Sequence, residues 1–499
     1  MSMRSRNLAR HCPSAKDSVP SRFTRRLLAG AAFLSVSLGA QAISFSEALD
    51  AARSHDATYR AASYEYDAAR MGVPIARASL LPSVSLNAGE SNITGSRRFP
   101  NGQNQEVRLP LDYSAPQAAL QMRMPLFNFE AISAFRQAQA QVDVAEAVFR
   151  SQGMDLMDRL VSAYLQTLLA DEGKRLVESQ IKSYELQVLQ TEQRLQRGEG
   201  TRVQLAQARA VLDVARTRLL EAEDQIGLAR IRLERLTGVS NAIANALLPL
   251  SAAEPLFPSR LTDWLDLALR QSPTVQSRER NREVARQVIN RQRAGHLPRV
   301  DLVASLSRSE NDASNTVGQS TVLRSVGVQF SMPLFSGGGV SAGVQQAQSR
   351  SAQAEEELRS ERDNVEIEVQ RHFQATINGE KKVAAYVKAL ESTDLAARGA
   401  LRALETGIGT LGELADAESI RFNAARDLVQ ARVDVLLSRA RLMMRAGMQL
   451  GEVASGVDRS LGNAPPSGHA SGVVSKLPDS GVKLPAATAT PVSPPSVKP

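Results

Sequence analysis

The chain has 499 residues, one cysteine (Cys12), 4% aromatics and a formal net charge of +8. A single cysteine excludes an internal disulfide scaffold and any zinc site that needs two thiolates. The charge does not argue for nucleic acid. Residues 1–42 hold seven basic side chains against Asp17 alone, and the remaining chain carries only +2, which requires no polyanionic partner.

Residues 1–42 read as a secretory signal. A basic stretch ends at Arg25-Arg26, an apolar run extends from Leu27 to Leu38, and Ala40-Gln41-Ala42 closes it. The run is too short for a spanning helix, and the small-x-small ending places cleavage after Ala42. Cys12 would leave with the signal, and no cysteine follows the apolar run, so a lipoprotein anchor is not expected. No later segment approaches about 18 consecutive apolar residues. A membrane location would therefore require a β-barrel.

The rest is one unit written twice. Leu81-Pro82-Ser83-Val84 recurs as Leu297-Pro298-Arg299-Val300, and Met124-Pro125-Leu126-Phe127 as Met332-Pro333-Leu334-Phe335. Gly198-Glu199-Gly200-Thr201 recurs as Gly407-Ile408-Gly409-Thr410. Three ordered matches at one offset define a duplication. The first repeat spans 43–240, a linker 241–260, and the second repeat 261–450. A tail over 451–499, rich in Pro, Ser and Ala, is expected to be disordered.

Each repeat predicts a β-hairpin followed by long helices. In 82–126, Val84, Leu86 and Ala88 alternate with Ser83, Ser85 and Asn87, and Leu120, Met122 and Met124 with Gln121 and Arg123. In 298–334, Val300, Leu302 and Ala304 alternate with Asp301 and Ser305, and Val326, Val328 and Phe330 with Ser325, Gly327 and Gln329. Period-two alternation sets an apolar face against a polar one. The connections, Asn92–Tyr113 and Asn311–Ser320, are expected to be loops. Four strands are too few to close a membrane barrel, whose smallest forms have about eight. Several chains would have to share one, and three copies would supply twelve strands.

No proline interrupts 129–197 or 341–406, so helices of about 100 Å are expected. Leu205, Leu212, Leu219, Ile226 and Leu233 recur every seven residues, with Ala208, Ala215, Ala222 and Ala229 between them. The second copy has Ala417, Ala424, Ala431 and Ser438 beside Leu428, Val435 and Leu442, and Arg421 interrupts the apolar seam. Large and small seam positions predict close coiled-coil packing. Each Gly-x-Gly-Thr reads as the tip of an antiparallel helical hairpin, with glycine for the turn and threonine as the next cap.

No catalytic, cofactor-binding or metal-binding residues are expected. His55, His296, His372 and His469 have no metal-ligand spacing, and neither a nucleophile elbow nor a phosphate loop occurs. Gly337-Gly338-Gly339 reads as a strand-to-helix bend. The arginine run from Arg278 to Arg293 reads as a solvated helix face, and Trp264 as a core anchor.

The duplication, the two Leu-Pro strand starts, the two Pro-Leu-Phe strand ends, Ala163-Tyr164-Leu165 and the Gly-x-Gly-Thr tips together resemble the TolC-like outer membrane factors. The resemblance covers 43–450. It implies a mainly α fold with membrane β: a periplasmic helical barrel beneath a twelve-stranded outer-membrane barrel shared by a homotrimer. It implies a periplasmic adaptor protein and an inner-membrane ABC or RND-type transporter as partners, contact with outer-membrane lipid, and no nucleic acid. By the same resemblance, Glu413 and Asp416 fall on the acidic positions of the pore entrance. The tips Gly198, Glu199, Gly200, Thr201, Gly407, Ile408, Gly409 and Thr410 fall on the adaptor-contacting surface. The first repeat departs, with Gln204 and Gln207 at the acidic positions. Leu404 and Gly409 stand where the family has a tyrosine and an arginine that hold the entrance closed.

The function expected is a passive export duct, with type I protein secretion as the first pathway. The missing lipoprotein cysteine leans that way. Drug efflux is the alternative within the class, and a periplasmic coiled-coil scaffold without a pore the alternative outside it.

Overall fold

The computed structural model describes residues 42–240, 243–244, 258–311 and 319–461. The expected signal up to residue 41, most of the linker and the tail beyond 461 lie outside the described residues. Ala42, expected as the last signal residue, is the first residue of β1.

The first repeat runs β1 (Ala42–Ile43), α1 (Phe45–His55), α2 (Ala57–Arg70), α3 (Gly72–Ala78), β2 (Ser83–Pro100), β3 (Glu106–Asn128), α4 (Phe129–Gln196) and α5 (Arg202–Thr237). After β4 (Ile243–Ala244), the second runs α6 (Leu261–Gln271), α7 (Pro273–Ala294), β5 (Arg299–Asn311), β6 (Gln319–Ser331), α8 (Gly339–Glu405) and α9 (Leu411–Arg445), and α10 (Leu450–Arg459) follows. The two long helices have 68 and 67 residues.

The four long strands form one antiparallel sheet in the order β2-β3-β5-β6, so the β3–β5 pairing joins the two repeats. Side chains at even positions make its apolar face, and they are exposed: Val84 64%, Leu86 71%, Val326 78% and Val328 64%. Odd positions carry the polar side, where Arg123 lies 3.8 Å from Asp301 and reaches Gln329. Among the described residues, both outer strands, β2 and β6, have an unpaired edge.

Three sequence expectations need correction. The connection Asn92–Tyr113 is not a loop: β2 and β3 pair without a register shift up to Pro100↔Glu106, leaving only a short turn. Its alternation has the opposite parity to that of the strands below it, so no single apolar face runs the whole length. The second hairpin ends at Ser331 rather than 334, whereas β3 continues past its Pro-Leu-Phe through a bulge between Pro125 and Phe127. The tail does not begin at 451. Leu450, Val453, Ala454 and Val457 have helical spacing, and the last three are buried in α10. Asp458 then accepts hydrogen bonds from the backbone N–H groups of Phe45 and Ser46 at 2.8 and 3.1 Å. A carboxylate satisfying the first amides of α1 complements both the unpaired donors and the helix dipole.

The main core lies where α1, α4, α9 and α10 meet. Tyr164 is fully buried, stacks edge-on against Phe45 at 5.4 Å and donates to the Ile43 carbonyl at 2.8 Å. A second core gathers Trp264, Val275, Val369 and Leu442. Trp264 donates to the Pro258 carbonyl at 2.7 Å, which makes it the anchor expected. The arginine run pairs outward with neighbouring helices, as in Arg278–Glu357 and Arg280–Asp143.

The helical hairpins pack on their seams. Ala208, Leu212, Ala215, Ile226, Ala229 and Leu233 are buried along α5, and Leu428, Ala431, Val435 and Leu442 along α9. Gly379 of α8 faces Val435, and a Cβ there would stand 2.5 Å from its Cγ2. Gly379→Val should therefore destabilise the fold by about 1–3 kcal/mol, the usual cost of overpacking, read as a lower Tm.

His372 on α8 is 7% exposed. Burial pushes its imidazole down from 6.5 to about 4, and Arg371, Arg441 and Arg445 add to the shift. Below pH 6.5 the unfolded chain takes up a proton that the folded chain refuses, so this contribution falls as pH drops toward 4. Thermal denaturation should show a smaller loss of Tm between about pH 7 and pH 4.5 in His372→Gln than in the parent.

Candidate functional site at the helical hairpin tips

The two hairpin tips have the same construction. After α4, Gly198 takes φ +77°, and after α8, Gly407 takes φ +79°. The left-handed residue lets the chain reverse while backbone N–H groups return to the last carbonyls. Glu199 N–H donates to the Arg194 carbonyl at 2.9 Å, and Ile408 N–H to the Ala403 carbonyl at 3.0 Å. Thr201 and Thr410 then cap α5 and α9, each in a full capping box. Gly409 is required by space, since a Cβ would lie 2.9 Å from that of Ala403. The tips are exposed, with Ile408 87% accessible.

Glu413 and Asp416 stand on one exposed face at the start of α9, while Leu411 and Leu414 are buried on the other. Glu413 has a local task, which the Thr410-x-x-Glu413 spacing of a capping box signals. Its carboxylate accepts from the Thr410 N–H at 3.0 Å, closing the capping box. In the first repeat Gln204 does the same for Thr201 with a neutral amide, at 3.0 Å. The cap therefore needs an acceptor but no charge. Asp416 has no hydrogen-bond or ion-pair partner among the described residues.

Polar ties absent from the sequence reading join the repeats near this end. Arg194, in the last turn of α4, donates to the Leu404 carbonyl of α8 at 2.9 Å. A cation on the final carbonyls of a helix is favoured by the unpaired acceptors and by the dipole. Leu404 thus serves by its backbone at the position where the resembled family uses a tyrosine. No sequence signal could expose this tie, because its acceptor is a main-chain oxygen 210 residues away. Further along, Arg441 of α9 binds Asp158 of α4 at 2.6 Å.

Arg421, the residue that breaks the heptad seam, has a structural reason. It lies 2.7 Å from Glu418 and 3.5 Å from Asp394, and all three side chains are nearly buried. Its guanidinium covers the Phe422 ring at 4.7 Å. A buried cation with two carboxylates and an aromatic face is compensated, whereas a lone one would be costly. The break in the pattern was the visible signal, and its partners come from α8 and the preceding turn of α9.

Among the described residues no cluster of His, Cys, Asp or Glu could hold a metal ion, and no helix is long and apolar enough to cross a membrane. Gly337 and Gly338 take φ +59° and +81° and bend the chain from β6 into α8.

Comparison with known proteins follows this architecture. A family model described as "Outer membrane efflux protein" matches residues 48–239 and 264–447, one stretch in each repeat. The chain is 32% identical over 432 residues to the alkaline protease secretion protein AprF of Pseudomonas aeruginosa, covering 85% of this chain and 89% of AprF. It is 31% identical to the proteases secretion protein PrtF of Dickeya chrysanthemi, over 83% of this chain and 90% of PrtF. The crystal structure of the Campylobacter jejuni CmeC outer membrane channel superposes with a TM-score of 0.70 at 16% identity, covering 84% of this chain and 90% of CmeC. At that identity the likeness concerns the fold. With both halves matched, the chain belongs to the outer membrane efflux protein family.

Proposed function

We propose that this protein is the outer-membrane duct of a type I protein-secretion machine. The observation that carries the reading is its similarity, over more than four-fifths of both chains, to two proteins named for protease secretion. The geometry supports a duct. An open four-stranded sheet with an apolar face can enter a bilayer only when other strands satisfy its two edges. Three copies supply twelve strands, an even number within the range of outer-membrane barrels. The polar face with Arg123, Asp301 and Gln329 then lines the lumen. The long helical hairpins extend the passage into the periplasm. A periplasmic adaptor meets the exposed tips, and an inner-membrane ABC transporter supplies the energy. The chain itself performs no chemistry in this reading.

Deleting the gene should remove one or a few large proteins from the culture supernatant while drug susceptibility stays unchanged. Mass spectrometry of the supernatant, with susceptibility tested on the same strain, checks this. Drug sensitisation with an intact set of secreted proteins would establish efflux through an RND-type pump instead.

In a trimer, Glu413 and Asp416 give six carboxylates around one axis, a ring that favours cations. The double variant Glu413→Gln, Asp416→Asn removes that charge and keeps the capping acceptor, as Gln204 does in the first repeat. Its cation selectivity in planar bilayers should fall at unchanged Tm. Unchanged selectivity would remove these residues from the entrance ring.

A further inference from the structure

The first β-hairpin outruns the sheet. β3 pairs with β5 only from Gln117 onward, whereas β2 and β3 continue together to Pro100↔Glu106. The eight pairs from Ile93↔Tyr113 to Pro100↔Glu106 project about 27 Å at 3.4 Å per residue. The free end is closed by an ordered turn. The Asn101 side chain accepts from the Gln103 and Gln105 N–H groups at 3.0 and 2.9 Å, and Asn104 takes φ 62°.

Along this hairpin the apolar face changes sides. Within the sheet, even positions are apolar (Val84↔Met122, Leu86↔Leu120, Ala88↔Ala118) and odd ones polar (Ser83↔Arg123, Ser85↔Gln121). In the projection, odd positions become apolar: Ile93↔Tyr113, Gly95↔Leu111 and Phe99↔Val107, with Arg97↔Leu109 between them. Even positions become polar: Thr94↔Asp112 and Arg98↔Arg108. The register runs without a shift, so each parity keeps its side of the ribbon. The switch falls near Glu90, two residues beyond the level of Ala88, Ala118 and Arg308, where Arg308 pairs with Glu310 at a charged rim; Arg324 stands lower, level with Leu306, Leu120 and Leu86. Below that rim the outward face is apolar except at Arg324, as lipid demands of most of it. Above it, in water, the apolar side is the one continuous with the lumen-facing surface. Ile93, Phe99 and Val107 are 36–37% exposed, against 64% and 71% for Val84 and Leu86, so the inner cluster already shelters part of itself.

We propose that the projecting hairpins of the copies sharing one barrel lean inward and pack these apolar faces on one another, forming a lid over the external mouth. The inference rests on the trimeric barrel of the preceding section. Its occupant is a second copy of the same segment, because continuity with the lumenal face brings identical surfaces toward a common axis. The reach suffices. Twelve strands about 4.8 Å apart and tilted about 40° give a barrel radius of ~12 Å, less than half the ~27 Å projection. The like-charged Arg98↔Arg108 pair, unfavourable between strands, stays on the outer, hydrated side. A lid held by a small apolar cluster can seal the mouth at rest and part when cargo arrives from below.

The test uses the full chain carrying Cys12→Ser, with single cysteines introduced and oxidised in intact cells. On upright hairpins, equivalent residues of three copies at a ~12 Å radius lie about 21 Å apart, beyond the ~7 Å limit for a disulfide. Leu109→Cys should give disulfide-linked pairs of chains, and Val107→Cys is a second reporter in case Leu109→Cys does not assemble. Arg98→Cys, on the opposite face, should give none and should react with a membrane-impermeant maleimide about tenfold faster than Leu109→Cys. Native mass spectrometry of the extracted protein reads the assembly separately. A trimer without Leu109→Cys or Val107→Cys pairs overturns the lid alone. So does a shielded but uncross-linked Leu109→Cys, which would mean that another molecule covers the face. Cross-links at Arg98→Cys as well would indicate loose hairpins and also overturn it. A monomer overturns both the lid and the shared barrel.

Discussion

Two unpaired strand edges, β2 and β6, flank a sheet whose outer face is apolar and exposed. Hydrocarbon cannot hydrogen-bond a free N–H or C=O, so such a sheet is tolerable in a bilayer only when its edges meet other edges. One chain has four long strands among the described residues and cannot bend them into a barrel by itself. That deficit makes several copies necessary, and much of the molecule follows from serving a shared closure. The duplication contributes two hairpins per chain, and β3–β5 pairing welds them into one slab. Each hairpin feeds a helix of nearly seventy residues, so the helices inherit the arrangement the barrel imposes.

Helices of that length need partners along their whole course. Their overall amphipathicity is weak, and stability comes from narrow seams. Ala208, Ala215 and Ala229 let α5 approach α4, and Gly379 lets α8 touch Val435. Close approach is combined with polar ties between the long helices of the two repeats, notably Arg194 with the Leu404 carbonyl and Arg441 with Asp158. The two hairpins are tied near their tips by Arg194, and farther along α4 and α9 share the main core. The capping boxes at Thr201 and Thr410 hold each tip together, since they satisfy orphan amides locally.

Much of this was legible in the sequence because the duplication displays each motif twice. Alternation marked the strands, heptads marked the seams, and the two Gly-x-Gly-Thr sites marked the tips. Three features escaped. The projecting hairpin escaped because its alternation changes parity at the membrane rim, so it looked patternless beside the strands below. Helix α10 escaped because ten amphipathic residues adjoin a Pro- and Ser-rich tail whose composition dominated the reading. The Arg194 tie escaped because its acceptor is backbone, and no residue type announces a carbonyl. Arg421 was visible as a flaw in the seam, yet its compensation by Glu418, Asp394 and Phe422 needed three-dimensional proximity. At the candidate entrance, spacing and family resemblance marked Glu413 and Asp416, but only the structure separates the capping work of Glu413 from any role of its charge.

The shared barrel is tested most directly by hydrogen exchange at its seams. The protein would be extracted in detergent and the amides of β2 and β6 compared with those of β3 and β5. Pairing between copies predicts protection of the outer strands comparable to that of the inner ones over 83–91 and 321–331. Fast exchange confined to β2 and β6, with β3 and β5 protected, would leave the sheet open-edged and contradict a barrel closed by several chains.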